Sequence, residues 1–277
     1  PRLPRRIDQL GELPLPVRRH HPVHGVVRVG ELRGRVDVVQ GGGVAAAVVL
    51  WWVATTVLTA PPSLLAAFAP QRALPALYEL ARSGVLVDDV LASVRRLLGG
   101  LLVAAVAGVG IGLAVGSSPA VDDATRPVFQ FLRMISPLSW APVAIGLFGI
   151  GHRPVVFLVA AAAVWPVVMN TVAGMRAIDP GYVLAARSLG ASRVEVLTSV
   201  VLPAIRPQVL TGLRLALGIA WVVLVPAEML GVTSGLGYEI LNSRDQLAYD
   251  KVMTVILVIG GLGHLLDVLA RRLLRSS

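Results

Sequence analysis

The chain consists of long apolar runs separated by shorter polar segments, and the runs are long enough to cross a bilayer as helices. A spanning helix needs about 20 apolar residues, and several segments meet or nearly meet this length. A membrane β-barrel would instead alternate apolar and polar residues in strands of roughly ten residues. The pattern therefore predicts an all-α membrane protein with six transmembrane helices: Val44–Ala60, Leu97–Val121, Val128–Ile150, Val155–Gly174, Gln208–Leu230 and Val252–Ala270.

Glycines and prolines interrupt two of these segments in different ways. The second segment has glycines that place small residues on adjoining helix faces, a pattern that lets helices approach closely in lipid. The third contains Pro137 and Pro142, which each remove a backbone donor. Non-helical backbone at membrane depth is tolerated where it lies within protein or lines a watery path. We expect a translocation pathway here, with a kinked packing helix as the alternative, and the candidates are Ser136, Pro137, Ser139, Trp140, Pro142 and, in the fourth segment, Asn170.

The polar segments predict how the domain is bounded. Residues 1–43 are rich in arginine and proline, which is typical of a basic, mostly disordered tail. Residues 44–277 form the six-helix domain. Pro61–Arg96 is predicted to be a loop with one or two amphipathic helices and no span, and Thr233–Lys251 a loop with a short helix near the membrane surface. Six spans put both termini on the same side of the membrane, and the segments on that side contain more arginine than those on the other. The positive-inside rule therefore predicts that both termini are cytoplasmic. Residues 175–207 then form the largest internal cytoplasmic loop.

Composition agrees with a membrane protein and excludes several chemistries. Among 277 residues, 55% are hydrophobic and 15% charged, the mean hydropathy is +0.75, and there is no cysteine. Disulfides, cysteine zinc sites and thiol nucleophiles are therefore excluded. Lys251 is the only lysine and does not follow the glycine spacing of a Walker loop. Any ATP-driven step must therefore use another subunit. The net charge of +9 is attributed to topology and anionic lipid rather than nucleic acid, and no metal site is assigned.

Charged residues inside spans are costly, so each needs a partner or a role. Arg133 and Arg214 lie near the inner ends of their spans and could reach lipid headgroups or face the pathway. Glu228 lies near the outer end of the fifth span, where it either pairs with an outer arginine or acts at a gate, so it joins the pathway candidates. Asp267 is expected to pair with Arg271 one turn later.

The cytoplasmic loop has the pattern of a helix-turn-helix. Pro180–Leu189 reads as a short helix, and Gly190 suits its left-handed C-terminal cap. Ser192 can cap a second short helix that is expected to end near Pro203. From this pattern alone the loop is either a docking element or a simple connector.

Its spacing resembles the "EAA" loop of permease subunits of binding-protein-dependent ABC importers. Ala185 and Ala186 are followed after three residues by Gly190, and after nine more by Val200 with Leu202–Pro203. The glutamate that opens the family motif is Leu184 here. The resemblance assigns contact with an ATPase to Leu184, Ala185, Ala186, Ser188, Leu189, Gly190, Ala191, Ser192, Leu202 and Pro203.

The resemblance extends from about Asp88 to Leu274. Within the family, the chain is similar to the nitrate/sulfonate/taurine/bicarbonate branch. It rests on Arg133–Pro142, Phe148–Gly151, Ser188–Ser192, Thr211–Arg214 and Ala227–Leu230. It implies the type I importer (MetI-like) permease fold in a bacterial plasma membrane. It also implies a pair of permeases, here a homodimer, two ATPase subunits that bind ATP and magnesium, and an extracytoplasmic binding protein. The permease itself would perform no bond chemistry and hold no cofactor.

Two other functions compete with this interpretation. An intramembrane hydrolase could use the glycine-histidine elements Gly149–His152 or Gly261–His264, but no serine has a recognisable nucleophile elbow around it. A stand-alone channel or facilitator would not need a docking loop. Genes for an ATPase and a binding protein next to this one would favour the importer.

Overall fold

The computed structural model describes Gly43, Ala46, residues 48–56 and residues 68–273. The predicted tail, apart from Gly43, and the ends of the predicted first span, Val44–Ala60, lie outside the described residues, and residues 48–56 of that span are helical. Residues 68–273 form helices joined by short connections, with no strand among them. The helices are α1 (Pro70–Arg82), α2 (Val85–Gly116), α3 (Pro119–Met134), α4 (Ala141–Phe148), α5 (His152–Arg176), α6 (Pro180–Ser188), α7 (Arg193–Val196), α8 (Leu202–Gly231), α9 (Leu236–Asp245) and α10 (Tyr249–Leu273).

Four helices in the described residues are long and apolar enough to cross a membrane: α2, α5, the continuous helix Arg193–Gly231 that contains α7 and α8, and α10. A fifth candidate consists of α3 followed by Pro137–Phe148, two pieces bent by 84° at a short break. These five correspond to the second to sixth spans of the sequence prediction. The all-helical membrane architecture is therefore confirmed in the described part of the chain.

Helix α2 packs on α5 through a row of small residues spaced four apart. A Cβ atom at Gly108 would lie 2.7 Å from Val167 Cβ, and one at Gly112 would lie 2.5 Å from Thr171 Cβ. Real Cβ atoms do not approach this closely, so glycine is required for this helix separation. The predicted close approach of the second span is confirmed at these positions.

Helix α8 covers the other side of α5. Gly212 faces α5 beside Pro166, where a Cβ would lie 2.9 Å from Asn170 Cβ and 3.0 Å from the carbonyl oxygen of Pro166. The core between α2, α5 and α8 is aliphatic, and its fully buried members include Leu97, Ala104, Leu158, Val159, Ala216, Ala220 and Leu224.

The prediction that Pro61–Arg96 contains no part of a span was wrong at its C-terminal end. Helix α2 begins at Val85, twelve residues before the predicted start at Leu97, and it ends at Gly116 rather than Val121. Asp89, Ser93 and Arg96 lie on the buried face of this added segment. The segment was predicted to be a loop because it contains several charges, but the partners of these three residues lie in α8 and at the start of α9.

The short helix predicted within Thr233–Lys251 is present as α9. Helix α1 packs on α10, where Thr254 Oγ1 donates to the carbonyl oxygen of Ala73 at 2.8 Å. Leu80, Leu236 and Val255 form a small buried cluster that joins α1, α9 and α10. The expected Asp267–Arg271 ion pair is also present in α10.

Candidate functional site

The helix-turn-helix between α5 and α8 is shaped by strong local capping. The Asp179 side chain accepts from the Gly181 backbone N–H at 2.8 Å, with Pro180 at the first position of α6. At the other end Gly190 has φ +86°, its N–H donates to Arg187, and the Ala191 N–H donates to Ala186. These two bonds around a left-handed residue are the Schellman cap. The predicted stop at Gly190 is confirmed.

Ser192 begins the next helix, as predicted, through a reciprocal capping box. Its Oγ accepts from the Glu195 N–H at 3.3 Å, and a Glu195 carboxylate oxygen accepts from the Ser192 N–H at 2.7 Å. The prediction that this helix ends near Pro203 was wrong. It continues through a π-helical turn, Leu197–Val201, directly into α8. The Leu202 N–H donates to the carbonyl oxygen of Leu197, so the wider turn carries the helix past Pro203 without a break.

The residues assigned to ATPase contact divide into two groups. Ala186 and Ala191 face inward, against a buried cluster of Val196, Val201 and Ile205. The others lie on the exposed side of the turn, which includes two large apolar side chains, Leu184 at 62% exposure and Leu189 at 89%. The remaining exposed members are Ala185, Ser188, Gly190, Ser192, Leu202 and Pro203.

The backbone break that the prolines predicted lies between α3 and α4. Ile135 and Ser136 are extended, and a single 3₁₀ turn, Pro137–Trp140, then leads into α4 with Pro142 near its start. Pro137 and Trp140 line a cavity of about 190 Å³ against α5, next to Trp165. The structure therefore brings five of the candidate pathway residues to one place: Ser136, Pro137, Ser139, Trp140 and Pro142.

The other two pathway candidates lie elsewhere. Asn170 is half-buried at the α5–α8 contact, and its Nδ2 donates to the Pro166 carbonyl oxygen of its own helix at 2.8 Å. Glu228 is fully buried in a polar cluster at the opposite end of the bundle from the helix-turn-helix.

That cluster centres on an ion pair between α2 and α8. Arg96 Nη1 lies 2.6 Å from Glu228 Oε1, and the two side chains are 2% and 0% exposed. Ser93 Oγ lies 2.8 Å and 2.9 Å from the two carboxylate oxygens. The guanidinium also donates to the carbonyl and hydroxyl oxygens of Ser234, both at 2.7 Å, and to His152 Nδ1 at 2.9 Å. A buried ion pair is stable only when its remaining hydrogen-bonding groups are also satisfied, and here they are.

The same cluster caps α9 from neighbouring helices. The backbone N–H groups of Gly235, Leu236 and Gly237 donate to Asp89 Oδ1, Ser93 Oγ and Glu228 Oε2, at 2.6, 2.9 and 3.0 Å. These donors have no partner within a helix at its first turn. The three acceptors therefore fix the start of α9 against α2 and α8.

Gly235 is required at this junction for two reasons. Its φ of +103° is unfavourable for side chains, and a Cβ would lie 2.5 Å from both Arg96 Nη1 and Glu228 Oε1. Glu228 and its possible pairing with an outer arginine were predicted from the sequence, whereas the roles of Asp89, Ser93 and Arg96 were not. These three residues are spaced by four and three positions, which places them on one helix face, and this spacing could have indicated a shared role.

The arrangement of the helices defines the class of protein. Apolar helices are packed through glycines, and one span is broken by proline, as in membrane transport proteins. An exposed, well-capped helix-turn-helix extends from the same bundle. His152, from the hydrolase alternative, accepts from a guanidinium rather than from a serine hydroxyl. The chain is a polytopic membrane transport subunit.

Comparison with known families identifies the subunit. Residues 106–276 match the family described as the binding-protein-dependent transport system inner membrane component, and the chain belongs to this family. It is therefore a permease subunit of an ABC importer, embedded in the cell membrane, and not an enzyme.

Several curated relatives are similar over most of the chain. The taurine transport system permease protein TauC of Escherichia coli K12 is 36% identical, with 74% of this chain and 77% of the relative covered. The bicarbonate permease CmpB of Synechococcus elongatus is 37% identical, and the nitrate permease NrtB of Leptolyngbya laminosa 35%, each with 65% of both chains covered. These relatives put the chain in the nitrate/sulfonate/taurine/bicarbonate branch.

Solved structures support the fold. A chain of the inward-facing MetNI methionine ABC transporter superposes with a TM-score of 0.53 at 19% identity, and covers 66% of this chain and 93% of its own length. A chain of an amino acid ABC transporter superposes with a TM-score of 0.52 at 18% identity, covering 72% and 94%. The MetI-like permease fold is thus shared despite low identity.

Proposed function

We propose that this permease passes a small oxyanion, such as an aliphatic sulfonate, taurine or nitrate, into the cytoplasm. The observation that carries the proposal is the set of relatives named for taurine, bicarbonate and nitrate transport at 35–37% identity. These solutes share a compact, oxygen-rich anionic group. The solute is delivered by an extracytoplasmic binding protein, and a separate ATPase binds ATP and magnesium.

The exposed face of the helix-turn-helix is the proposed contact with the ATPase. Leu184 and Leu189 present apolar surface there, while Ala186 and Ala191 are occupied by the internal cluster. Ala186 and Ala191 therefore act by shaping the turn. Since the second helix continues without a break into α8, a movement of the turn is transmitted directly to the fifth span. Leu184 is exposed, so the glutamate that the family motif has at this position would also be solvent-accessible here.

The break between α3 and α4 is the proposed lining of the translocation pathway. Ser136, Ser139 and Trp140 are exposed on this chain, and Pro137 lines the adjoining cavity. Glu228 is assigned a different role. It is a positioning residue that holds α9 in place, because all of its surface is buried and its donors come from Ser93, Arg96 and Gly237.

Orientation follows from this assignment. The end with the helix-turn-helix faces the cytoplasm, both termini are cytoplasmic, and α9 faces the binding protein. Two copies of the chain form the proposed permease pair.

Uptake by a reconstituted system tests the proposal. The chain would be co-expressed with its cognate ATPase and binding protein, purified, and placed in proteoliposomes with internal ATP. Uptake of radiolabelled taurine, bicarbonate or nitrate is expected only when all components are present, and the isolated permease should not hydrolyse ATP. Uptake of methionine with none of the three oxyanions would reject the proposed substrate class.

A further inference from the structure

A cavity of about 440 Å³ lies between α3 and α5, at the end of the bundle that carries the helix-turn-helix. Its volume is within the range of roughly 300–1,000 Å³ that is common for small-molecule sites. Three arginines line it: Arg126 and Arg133 from α3 and Arg176 from α5. Asp122 is the only carboxylate in the lining.

The carboxylate does not neutralise all three arginines. Asp122 is buried and pairs with both Arg126, at 3.3 Å, and Arg176. Arg126 also lies 3.6 Å from Asp123, outside the lining. Arg133 makes no ion pair with any residue that the structure describes, and its side chain is exposed. The lining therefore has excess positive charge, and one guanidinium is free to bind an anion.

The rest of the lining suits an anion with a small organic part. Phe129 and Trp165 contact each other at 5.7 Å between ring centroids and form one wall. A guanidinium offers two parallel N–H donors to two oxygens of a sulfonate, nitrate, carbonate or phosphate group. The aromatic wall gives the organic part of such an anion an apolar surface beside the guanidinium groups.

The cavity also adjoins the proposed pathway. Trp165 lines both this cavity and the smaller one at the helix break, beside Pro137 and Trp140. The arginine cavity thus follows the break along the same face of α5, nearer the helix-turn-helix.

We infer that this cavity is a binding site for a small oxyanion, with Arg133 as the residue that contacts it. Asp122 pairs with the other two arginines of the lining, Arg126 and Arg176. The inference rests on the proposed function and deepens it, because it assigns the inner part of the solute's path to named residues. An oxyanion could reach the site as the dissolved solute or as the phosphate of a lipid headgroup, and we assign the solute.

The test measures binding without transport. The permease–ATPase complex would be placed in nanodiscs of phosphatidylcholine, without ATP or binding protein, and titrated with radiolabelled taurine. Methanesulfonate and nitrate serve as unlabelled competitors and choline as the cationic control. Saturable binding that both anions displace, and choline does not, is expected.

The variants identify the residue. Arg133→Gln should weaken binding by about tenfold or more, since a charged hydrogen bond is lost. Arg133→Lys should weaken binding less than Arg133→Gln, because lysine keeps the positive charge. It should still bind more weakly than wild type, because lysine lacks the two parallel N–H donors. Arg214→Gln is the matched control: Arg214 is also an exposed arginine within a span, it does not line the cavity, and its loss should leave binding unchanged. Equal binding by wild type and Arg133→Gln would overturn the inference.

A second set of nanodiscs, which contains phosphatidylglycerol, distinguishes the dissolved solute from a lipid headgroup as the source of the oxyanion. Phosphatidylglycerol retained by the wild type and lost in Arg133→Gln, with no binding of taurine, methanesulfonate or nitrate, would assign the site to a lipid headgroup and overturn the solute assignment. Failure of the proposed function looks different. In that case the complex binds the anions but the assembled system imports none of them.

Discussion

At the scale of the residue, the Arg96–Glu228 pair shows how a charge is tolerated inside a span. Each group is almost completely removed from solvent, yet Arg96 has partners in three segments of the chain and Glu228 has partners in two. Burial of such a pair contributes little net stability, but loss of one partner leaves the other charge uncompensated. Its main consequence is that α2, α8 and the start of α9 must be positioned together.

The first prediction concerns this pair. Arg96→Leu should destabilise the folded permease by about 3–5 kcal/mol, because Glu228 and the Ser234 carbonyl oxygen lose their shared donor. A clear decrease in the Tm of the purified protein in detergent would show this. Arg95→Leu is the control, since Arg95 is adjacent and exposed, and it should have a Tm close to wild type. Equal Tm values for both variants would contradict the structural role of the cluster.

A second prediction at this scale concerns Leu189. Its side chain is 89% exposed, so Leu189→Asp should fold and insert normally. Because the proposed ATPase contact is apolar at this position, the variant should lose most of the ATPase that co-purifies with the permease. Affinity purification of the tagged permease, with quantification of the bound ATPase, measures the effect.

The control for Leu189 is at the other end of the bundle. Leu247 is 71% exposed and has φ +58°, a conformation that aspartate tolerates better than leucine. Leu247→Asp should therefore keep the ATPase. Retention of the ATPase by both variants would leave the helix-turn-helix as a connector only.

At the scale of the element, the packing of α2 depends on which of its glycines face α5. Gly108 faces α5, where a Cβ would lie 2.7 Å from Val167 Cβ, whereas the Cβ position at Gly110 has no atom within 4 Å. Intrinsic helix propensity favours alanine over glycine by about 1 kcal/mol at either position. Only the packing therefore differs between the two sites.

The third prediction follows from this difference. Gly108→Ala should lower the Tm, because α2 and α5 must separate or shift to admit the methyl group. Gly110→Ala should leave the Tm unchanged or raise it slightly. Thermal unfolding of both variants in the same detergent measures the contrast. A similar Tm change in both would show that propensity, and not helix contact, decides the stability of α2.

At the scale of the whole molecule, the bundle has two different ends. One carries the helix-turn-helix and the arginine-lined cavity, and the other carries the buried ion-pair cluster and α9. In the proposed orientation the first end faces the cytoplasm, which is the side that the positive-inside rule favours.

The fourth prediction tests this orientation. A reporter that is active only in the cytoplasm should work when fused after Gly190 and fail when fused after Gly235, because an odd number of spans separates the two positions. Reporter activity in intact cells, normalised to the amount of fusion protein, is the measurement. Activity at Gly235 equal to that at Gly190 would contradict the proposed topology.

Local chemistry was sufficient to predict several parts of this molecule from the amino-acid sequence. The spans depend on unbroken apolar length, the Gly190 cap on the ease with which glycine adopts positive φ, and the break after α3 on the donors that Pro137 and Pro142 lack. The cap at Ser192 needs only Glu195 three residues later. Each of these is decided within a few residues, so no distant part of the chain needed to be known.

Only the tertiary structure decided which polar residues are buried and where two of the helices begin or end. Arg96 belongs to a span because Glu228, 132 positions later, lies beside it. The helix that begins at Arg193 continues past Pro203 through a π turn, and its buried Val201 and Ile205 pack in one cluster with side chains of α2 and α5. Arg133 and Arg214 look equivalent in the sequence, yet only Arg133 lines a cavity with other arginines. A residue's partners across the bundle depend on how the helices pack, and hydropathy and local spacing carry no information about that packing.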